Sequence, residues 1–115
     1  MTTPVDDLLD SYRATATAWD VMRGDAKKAN TLFDQLHSIY KELRASQAGR
    51  DGISALMTSE NVGVRVSAAS HSLGWDPEHA VEVLEQIERD GPGLYRTTAK
   101  YTLKSFREGR LNMDW

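Results

Sequence analysis

The chain has 115 residues, the size of one domain that buries roughly two-thirds of its unfolded surface. Seventeen Asp and Glu residues against fourteen Lys and Arg residues give a net charge of -3, the wrong sign for a protein that mainly neutralises phosphates. The absence of cysteine excludes disulfides, thiolate metal sites and cysteine nucleophiles. The composition therefore favours a single globular domain and makes nucleic acid a minor alternative.

From its first ten residues, we expect no secretory signal peptide at the beginning of this sequence. The stretch MTTPVDDLLD lacks the basic region and the long apolar region of a signal peptide. No later segment approaches the run of about 20 apolar residues that crosses a bilayer. We therefore expect a cytoplasmic protein that does not contact a membrane.

Two helices are predicted to form a pair over residues 4–46. Thr3 before Pro4 indicates a helix start, because a hydroxyl can cap the helix and proline is favoured at its first position. Helix one is predicted over about residues 4–23, with an apolar face of Val5, Leu8, Leu9, Tyr12, Ala16 and Trp19. Asp25 is the predicted cap of helix two, whose apolar face comprises Ala29, Leu32, Phe33, Leu36, Ile39, Tyr40 and Leu43.

The middle of the chain is predicted to contain a loop and two shorter helices. The run SQAGRDG, residues 46–52, has two glycines and is predicted to be a loop. A short third helix is expected to follow and to contain Ile53, Leu56 and Met57. Ser59 or Asn61 is expected to cap the fourth helix, which ends near Gly74.

The last third of the chain is predicted to form two helices. Asp76 and Pro77 indicate the start of the fifth, whose inward positions are Ala80, Val81, Leu84 and Ile87. The sixth begins after DGPG and has an apolar stripe of Tyr95, Ala99, Thr102, Leu103 and Phe106. Because no segment alternates with period two, we predict an all-α fold of about six helices with no sheet.

Two segments of the second half resemble each other at an offset of thirty residues. GVRVSAASHSL and GLYRTTAKYTL align Gly63 with Gly93, Ala69 with Ala99 and Leu73 with Leu103. A helical unit that recurs at about this period is typical of solenoids, in which each helix pair packs on its neighbours. The small residues 67–70 are therefore interpreted as a groove that lets another helix approach closely.

The same region resembles known helical repeats. The region has a turn, then VRVSAASHSL, then a helix beginning DP, and this order resembles HEAT and armadillo repeats. It also contains, in succession, NVGVRVSAA, AVEVLE, GLYRTTAKYTL and FREGRL. This succession is similar to a small bacterial family, the domain-of-unknown-function 2019 family. The resemblance covers about residues 8–111. It implies a short right-handed α-α superhelix with repeat units of about 50–74 and 76–107 and a tail of 108–115.

The resemblance also suggests a role for arginines at the start of each unit. Such repeats often place an arginine at the position of Arg65, where it hydrogen-bonds carbonyls or an acid of the adjoining unit. The order Tyr95-Arg96 departs from the Val-Arg order of the other unit, and the position of Arg96 is left unassigned.

Two charged stripes are the candidate partner-binding residues. At helical spacing, helix five carries Glu78, Glu82 and Glu85, and helix six carries Arg96, Lys100, Lys104 and Arg107. One hypothesis is that the stripes pair with each other as weak surface ion pairs. The other is that one stripe is an electrostatic recognition surface for a partner.

No pattern in the chain indicates catalysis or metal binding. The three histidines, His37, His71 and His79, show no i, i+4 spacing that would bring two rings to one metal on a helix. The aspartates at positions 6, 7 and 10 are explained by the dipole of helix one. The serines around His71 lack the G-x-S-x-G turn of a hydrolase. We therefore predict a protein that is not an enzyme and has no cofactor and no metal.

The three tryptophans are assigned to packing. Trp19 is predicted to be in the core, and Trp75 to pack over the helix that follows it as a hydrophobic staple. Trp115 has three alternatives, since it can dock on its own domain, meet a symmetry mate or stay mobile.

The functional hypothesis is a protein-protein interaction module. Analogy of fold suggests an adaptor or a toxin-neutralising immunity protein, present as a monomer or weak homodimer with another protein as its partner. The alternatives are a nucleic-acid-binding or repair-type helical repeat module and a homo-oligomeric structural protein.

Overall fold

The computed structural model describes residues 3–22 and 24–112 and shows an all-helical fold. The six helices are α1 Pro4–Met22, α2 Ala26–Leu43, α3 Gln47–Ala55, α4 Val62–Ser72, α5 Pro77–Asp90 and α6 Gly93–Arg107. A single 3-10 turn, Leu56–Thr58, follows α3. Within those ranges there is no β-strand, which confirms the predicted fold class.

The first helix begins with a reciprocal cap. The N–H of Asp6 donates to Oγ1 of Thr3 at 3.1 Å, and the N–H of Thr3 donates to Oδ2 of Asp6 at 3.2 Å. The N–H groups of Thr3 and Asp6 are satisfied in this way, and Pro4 at the first helical position has no N–H group to leave unpaired. The carboxylate of Asp6 is therefore used in capping. The predicted end of the helix, Arg23, lies outside the described residues.

Two further predicted caps are confirmed and one is altered. Asp25 accepts from the N–H of Lys28 at 3.2 Å, and Asn61 accepts from the N–H of Val64 at 3.1 Å. Asp76 occupies the cap position of α5 without a side-chain capping bond. Its carboxylate instead lies 3.5 Å from Nδ1 of His79.

The predicted loop over residues 46–52 is wrong, because this segment is helical. Ser46 caps α3 by accepting from the N–H of Gly49 at 3.0 Å, and the helix runs on to Ala55. The two glycines permit close packing instead of a turn. A Cβ atom at Gly49 would collide with the backbone carbonyl of Leu43, and one at Gly52 would collide with the side chain of Leu9.

The fourth helix lies at the centre of the molecule. It contacts α1, α3, α5 and α6. Ala68, Ala69 and Ser72 have no exposed surface, and Gly63 is also buried. Small side chains at these positions let the surrounding helices approach α4 closely. The packing role predicted for residues 67–70 is confirmed for Ala68 and Ala69, whereas Ser67 and Ser70 are partly exposed and border a cavity.

An arginine near the start of three helices hydrogen-bonds a carbonyl that precedes the helix. Arg50 donates to the carbonyl of Arg44 at 2.7 Å and Arg65 to that of Ser59 at 3.1 Å. Arg96 donates through Nε to the carbonyl of Gly91 at 2.7 Å. The three arginines each lie four positions after the cap residue of their helix. The carbonyl contact predicted for Arg65 is confirmed.

The positions of these arginines correct the alignment between the two similar segments of the second half of the chain. The cap residues Asn61 and Pro92 are thirty-one positions apart, whereas the sequence alignment used thirty. The corrected offset places Arg65 opposite Arg96 and Ala68 opposite Ala99. Both alanines are fully buried. The order Tyr95-Arg96 therefore agrees with the order Val-Arg, and Arg96 has an equivalent position.

Some core positions differ from the prediction. Phe33 belongs to the predicted apolar face of α2 but is 44% exposed, and Trp19 is only partly buried. Val83 is buried although it was not among the inward positions of the fifth helix, and Val81 is only partly buried. Phe33 and Trp19 both border a cavity, which explains why neither is fully enclosed.

Trp75 packs against helices that precede it in the chain. Its ring lies over Tyr40 of α2, with 6.2 Å between ring centroids, and its Nε1–H donates to Oγ of Ser54 at 2.9 Å. Ser54 in turn lies 3.4 Å from the buried hydroxyl of Ser72. These contacts do not correspond to the predicted staple on α5. Trp115 lies outside the described residues.

Candidate functional site

The two charged stripes are exposed and are joined by one ion pair. Arg107 lies 3.2 Å from Glu85, and both side chains are about half exposed, at 54% and 47%. The guanidinium of Arg96 is held by the Gly91 carbonyl. Among the described residues, Glu78 and Glu82 form no ion pair with α6. The predicted pairing between the stripes is therefore limited to one contact.

The remaining cations of α6 belong to a surface that we call the α6 face, formed by Leu94, Lys100, Tyr101 and Lys104. All four residues are exposed, Leu94 at 65% and Tyr101 at 59%. Neither lysine makes an ion pair within the part of the chain that the structure describes. The helix contains no acidic residue. The α6 face is consequently positive and has two apolar side chains beside its charges.

A cavity of about 280 Å³ lies between α2, α4 and α6. Its walls are mostly apolar and aromatic, and hydroxyl groups of α4 and α6 complete them. The lining residues are Trp19, Phe33, Leu36, Tyr40, Val66, Ser67, Ser70, His71, Thr98, Thr102, Leu111 and Asn112. Phe33 and Asn112 are the exposed members of this set, so the cavity opens between α2 and the segment that follows α6.

His71 contributes an imidazole to the cavity wall. Its Nδ1 lies 2.6 Å from the hydroxyl of Tyr12 on α1. Its ring is stacked on Tyr40 of α2, with 4.0 Å between centroids and 9° between planes. The imidazole of α4 therefore connects three helices and is held in one orientation by a hydrogen bond and by stacking.

The surroundings keep both partners of this hydrogen bond neutral. Burial, followed by the charges of His37 and Arg44, lowers the pKa of His71 from 6.5 to about 3. Burial, and then Tyr40, raises the pKa of Tyr12 well above its ordinary value. His71 is thus an uncharged imidazole at neutral pH, able to donate or accept one hydrogen bond at its second nitrogen.

The other two histidines of the described residues, His37 and His79, do not form a metal site with His71. His79 is exposed at the start of α5 beside Asp76, as its sequence position indicated. His37 contacts the ring of Tyr40 with 5.9 Å between centroids. Within residues 3–22 and 24–112, no three His, Asp or Glu side chains come together as a metal site requires.

Sequence reasoning identified the charged stripes but missed the cavity. His71 was considered only as a metal ligand or a member of a hydrolase triad. Its partners, Tyr12 and Tyr40, are 59 and 31 positions away in the sequence, so no local spacing connects them. The available signal was a pair of tyrosines on the predicted inner faces of two helices, since a buried tyrosine hydroxyl needs a hydrogen-bond partner.

No helix in the described segments combines the length and the apolar character that crossing a bilayer requires. Comparisons of the chain with protein-family models, curated proteins and solved structures found no match. The resemblance to helical-repeat families therefore stays a prediction from the sequence.

Proposed function

We propose that the protein is a cytoplasmic, non-catalytic protein-binding module that holds an acidic surface of another protein on its α6 face. The observation that carries the proposal is the charge of α6, which has four cations and no acid. Arg96 and Arg107 are engaged within the domain. Lys100 and Lys104 remain exposed and are available to an oppositely charged partner.

The apolar side chains of the α6 face favour a protein partner over a nucleic acid. Tyrosine is enriched at the centre of protein interfaces, where it buries a large area and keeps a polar hydroxyl. Tyr101 and Leu94 lie beside the two lysines on the same helix. The neighbouring α5 is acidic, so the basic area is confined to one helix and is not the continuous basic groove that a nucleic acid would need.

A repeat architecture agrees with this role. The same cap-plus-four arginine contact occurs at the starts of α4 and α6, the second helices of the two predicted repeat units, as expected if these helices are equivalent elements of a short right-handed superhelix. Stacked helical repeats commonly present one face to a protein partner. An adaptor or a toxin-neutralising immunity protein would use such a face for binding alone.

Affinity capture with charge-reversed variants tests the proposal. The tagged protein is recovered from its own cells at low and high salt, together with K100E/K104E and with K27E/K28E. The second variant has the same change in charge and alters two exposed lysines on α2. We expect the wild type and K27E/K28E to retain one stoichiometric acidic protein at low salt, and K100E/K104E to lose it. High salt should release it, because exposed charges are screened.

Three results would contradict the proposal. Equal retention of the partner by all three proteins would exclude the α6 face as the contact surface. Salt-dependent binding of duplex DNA that K100E/K104E abolishes would assign the face to nucleic acid. A dimeric mass by light scattering that becomes monomeric in K100E/K104E would assign it to self-association.

A further inference from the structure

The cavity between α2, α4 and α6 differs from the α6 face in both shape and charge. Its volume of about 280 Å³ is near the lower end of the ~300–1,000 Å³ that is usual for small-molecule sites. It is also about twice the size of a ~150 Å³ apolar cavity that takes up benzene. The cavity can therefore hold one molecule of about two fused rings.

The walls select for a flat and uncharged molecule. Trp19, Phe33 and Tyr40 supply three aromatic rings, and aromatic rings pack well against another ring in stacked or edge-to-face arrangements. No carboxylate, lysine or arginine lines the cavity among the described residues. A charged ligand would lose its hydration there without gaining an ion pair.

The hydrogen bond between Tyr12 and His71 defines which group the cavity offers. In the described part of the chain, His71 is the hydrogen-bond partner of the fully buried Tyr12 hydroxyl. The phenol keeps its proton, because burial raises the pKa of Tyr12. Donation of that proton to Nδ1 leaves no buried O–H without an acceptor, and in this tautomer the neutral imidazole carries its own proton on Nε2.

The proton on Nε2 is available to a ligand. Among the described residues, Nε2 of His71 has no hydrogen-bond partner. No buried side-chain nitrogen in the same residues lacks a partner, so Nε2 keeps exposed surface. His71 borders the cavity.

We infer that this cavity is a binding site for a small, neutral aromatic molecule that accepts one hydrogen bond from Nε2–H of His71. The aromatic walls hold the ring system, and the imidazole fixes its orientation. Tyr12 and Tyr40 act as positioning residues, since they hold the imidazole by hydrogen bonding and by stacking. The inference is independent of any protein bound on the α6 face.

Quinoline and naphthalene are suitable probes because they have nearly the same shape, and only quinoline has a ring nitrogen that accepts a hydrogen bond. Binding of each is followed by chemical-shift changes of backbone amides and of the Trp19 indole N–H. Both ligands should change the chemical shifts of residues around the cavity. A histidine-selective spectrum should show His71 protonated on Nε2, and quinoline should shift that resonance.

Two variants locate the interaction. H71N keeps an oxygen near the position of Nδ1 to accept from Tyr12 but has no atom at the position of Nε2. It should weaken quinoline binding roughly three- to tenfold, the value of one lost hydrogen bond, and change naphthalene binding less than about twofold. S70L fills the cavity and should weaken both ligands by about tenfold or more.

The inference fails if quinoline produces no shifts at cavity residues up to its solubility limit. It also fails if H71N weakens the two ligands equally, because the imidazole then provides only packing. Retention of both ligands by S70L would place them elsewhere on the protein. Unfolding curves of both variants verify that each is folded before its binding is compared.

Discussion

The hydrogen bond between Tyr12 and His71 connects residues 59 positions apart and lies in a largely apolar environment. In such surroundings a neutral hydrogen bond is stable, whereas a charge on either partner is costly. The ring of Tyr40 covers one side of the imidazole. The guanidinium of Arg44 lies 4.8 Å from the centre of the Tyr40 ring. Protonation of His71 would therefore disturb the contacts between three helices.

The first prediction concerns the pH dependence of stability. The pKa of His71 is about 3 in the folded protein and about 6.5 in the unfolded chain. The unfolded state therefore binds an additional proton between these values, so His71 stabilises the fold above pH ~6.5 and its contribution falls as the pH decreases towards 3. Between about pH 6.5 and 4.5, the free energy of unfolding of the wild type should fall by about 2 kcal/mol more than that of H71N.

Urea unfolding of both proteins across this range measures the difference. Carboxylates titrate in the wild type and in H71N alike, and their contributions cancel when the two curves are subtracted. A difference that stays constant with pH would show that His71 accepts a proton in the folded state as readily as in the unfolded chain.

The second prediction concerns Gly49 of α3, which lies in the segment that the sequence predicted to be a loop. Gly49→Ala should destabilise the protein by about 1–3 kcal/mol, because the new Cβ meets the rigid backbone carbonyl of Leu43. Gly93→Ala is the matched control, since a Cβ at Gly93 meets nothing within 4 Å. It should leave stability unchanged or raise it slightly. Similar free energies of unfolding for the two variants would refute the close-approach explanation.

At the scale of single elements, helix starts were the most predictable features of the sequence. Thr3, Asp25 and Asn61 were expected to cap helices, and each does so. These signals are local, because a cap bonds an N–H group three residues away. The third helix was predicted to begin after residue 52, whereas it begins at Gln47. Its start was misplaced because glycine indicates both turns and close approach, and only the positions of Leu43 and Leu9 in space distinguish the two.

The third prediction concerns the arginines four positions after the caps. Arg65→Ala removes a charge-assisted hydrogen bond to the carbonyl of Ser59 in a partly buried position and should destabilise the protein by about 1–2 kcal/mol. Lys100→Ala changes an exposed cation of α6 and should alter the stability by less than about 0.5 kcal/mol. Equal effects in chemical unfolding would mean that the arginine contact contributes nothing beyond a surface charge.

At the scale of the whole molecule, the sequence predicted the fold class and the number of helices but not the cavity. Periodicity identifies the inner face of each helix, and it placed Tyr95, Ala99 and Leu103 correctly in the core. It cannot show where three inner faces fail to meet. Trp19 and Phe33 were expected to fill the core, whereas in the structure they line the space between α2, α4 and α6. Tyr40 also lines this space but is buried in the core, as predicted.

The charged stripes could be found from the sequence, but their pairing could not. Helical spacing identified seven residues, and the structure joins one pair of them, Arg107 and Glu85. Which cation reaches which acid depends on how α5 and α6 cross, and spacing within each helix carries no information about that. The resulting separation between engaged arginines and exposed lysines is the basis of the proposed α6 face.

The most direct test of that proposal is the dissociation constant of the captured protein partner, measured by titration calorimetry for the wild type, K100E/K104E and K27E/K28E at low ionic strength. The account predicts binding weakened by about tenfold or more in K100E/K104E and within about twofold of the wild type in K27E/K28E. Equal weakening in both variants would reduce the effect to net charge alone, and equal affinity in all three would place the partner away from α6.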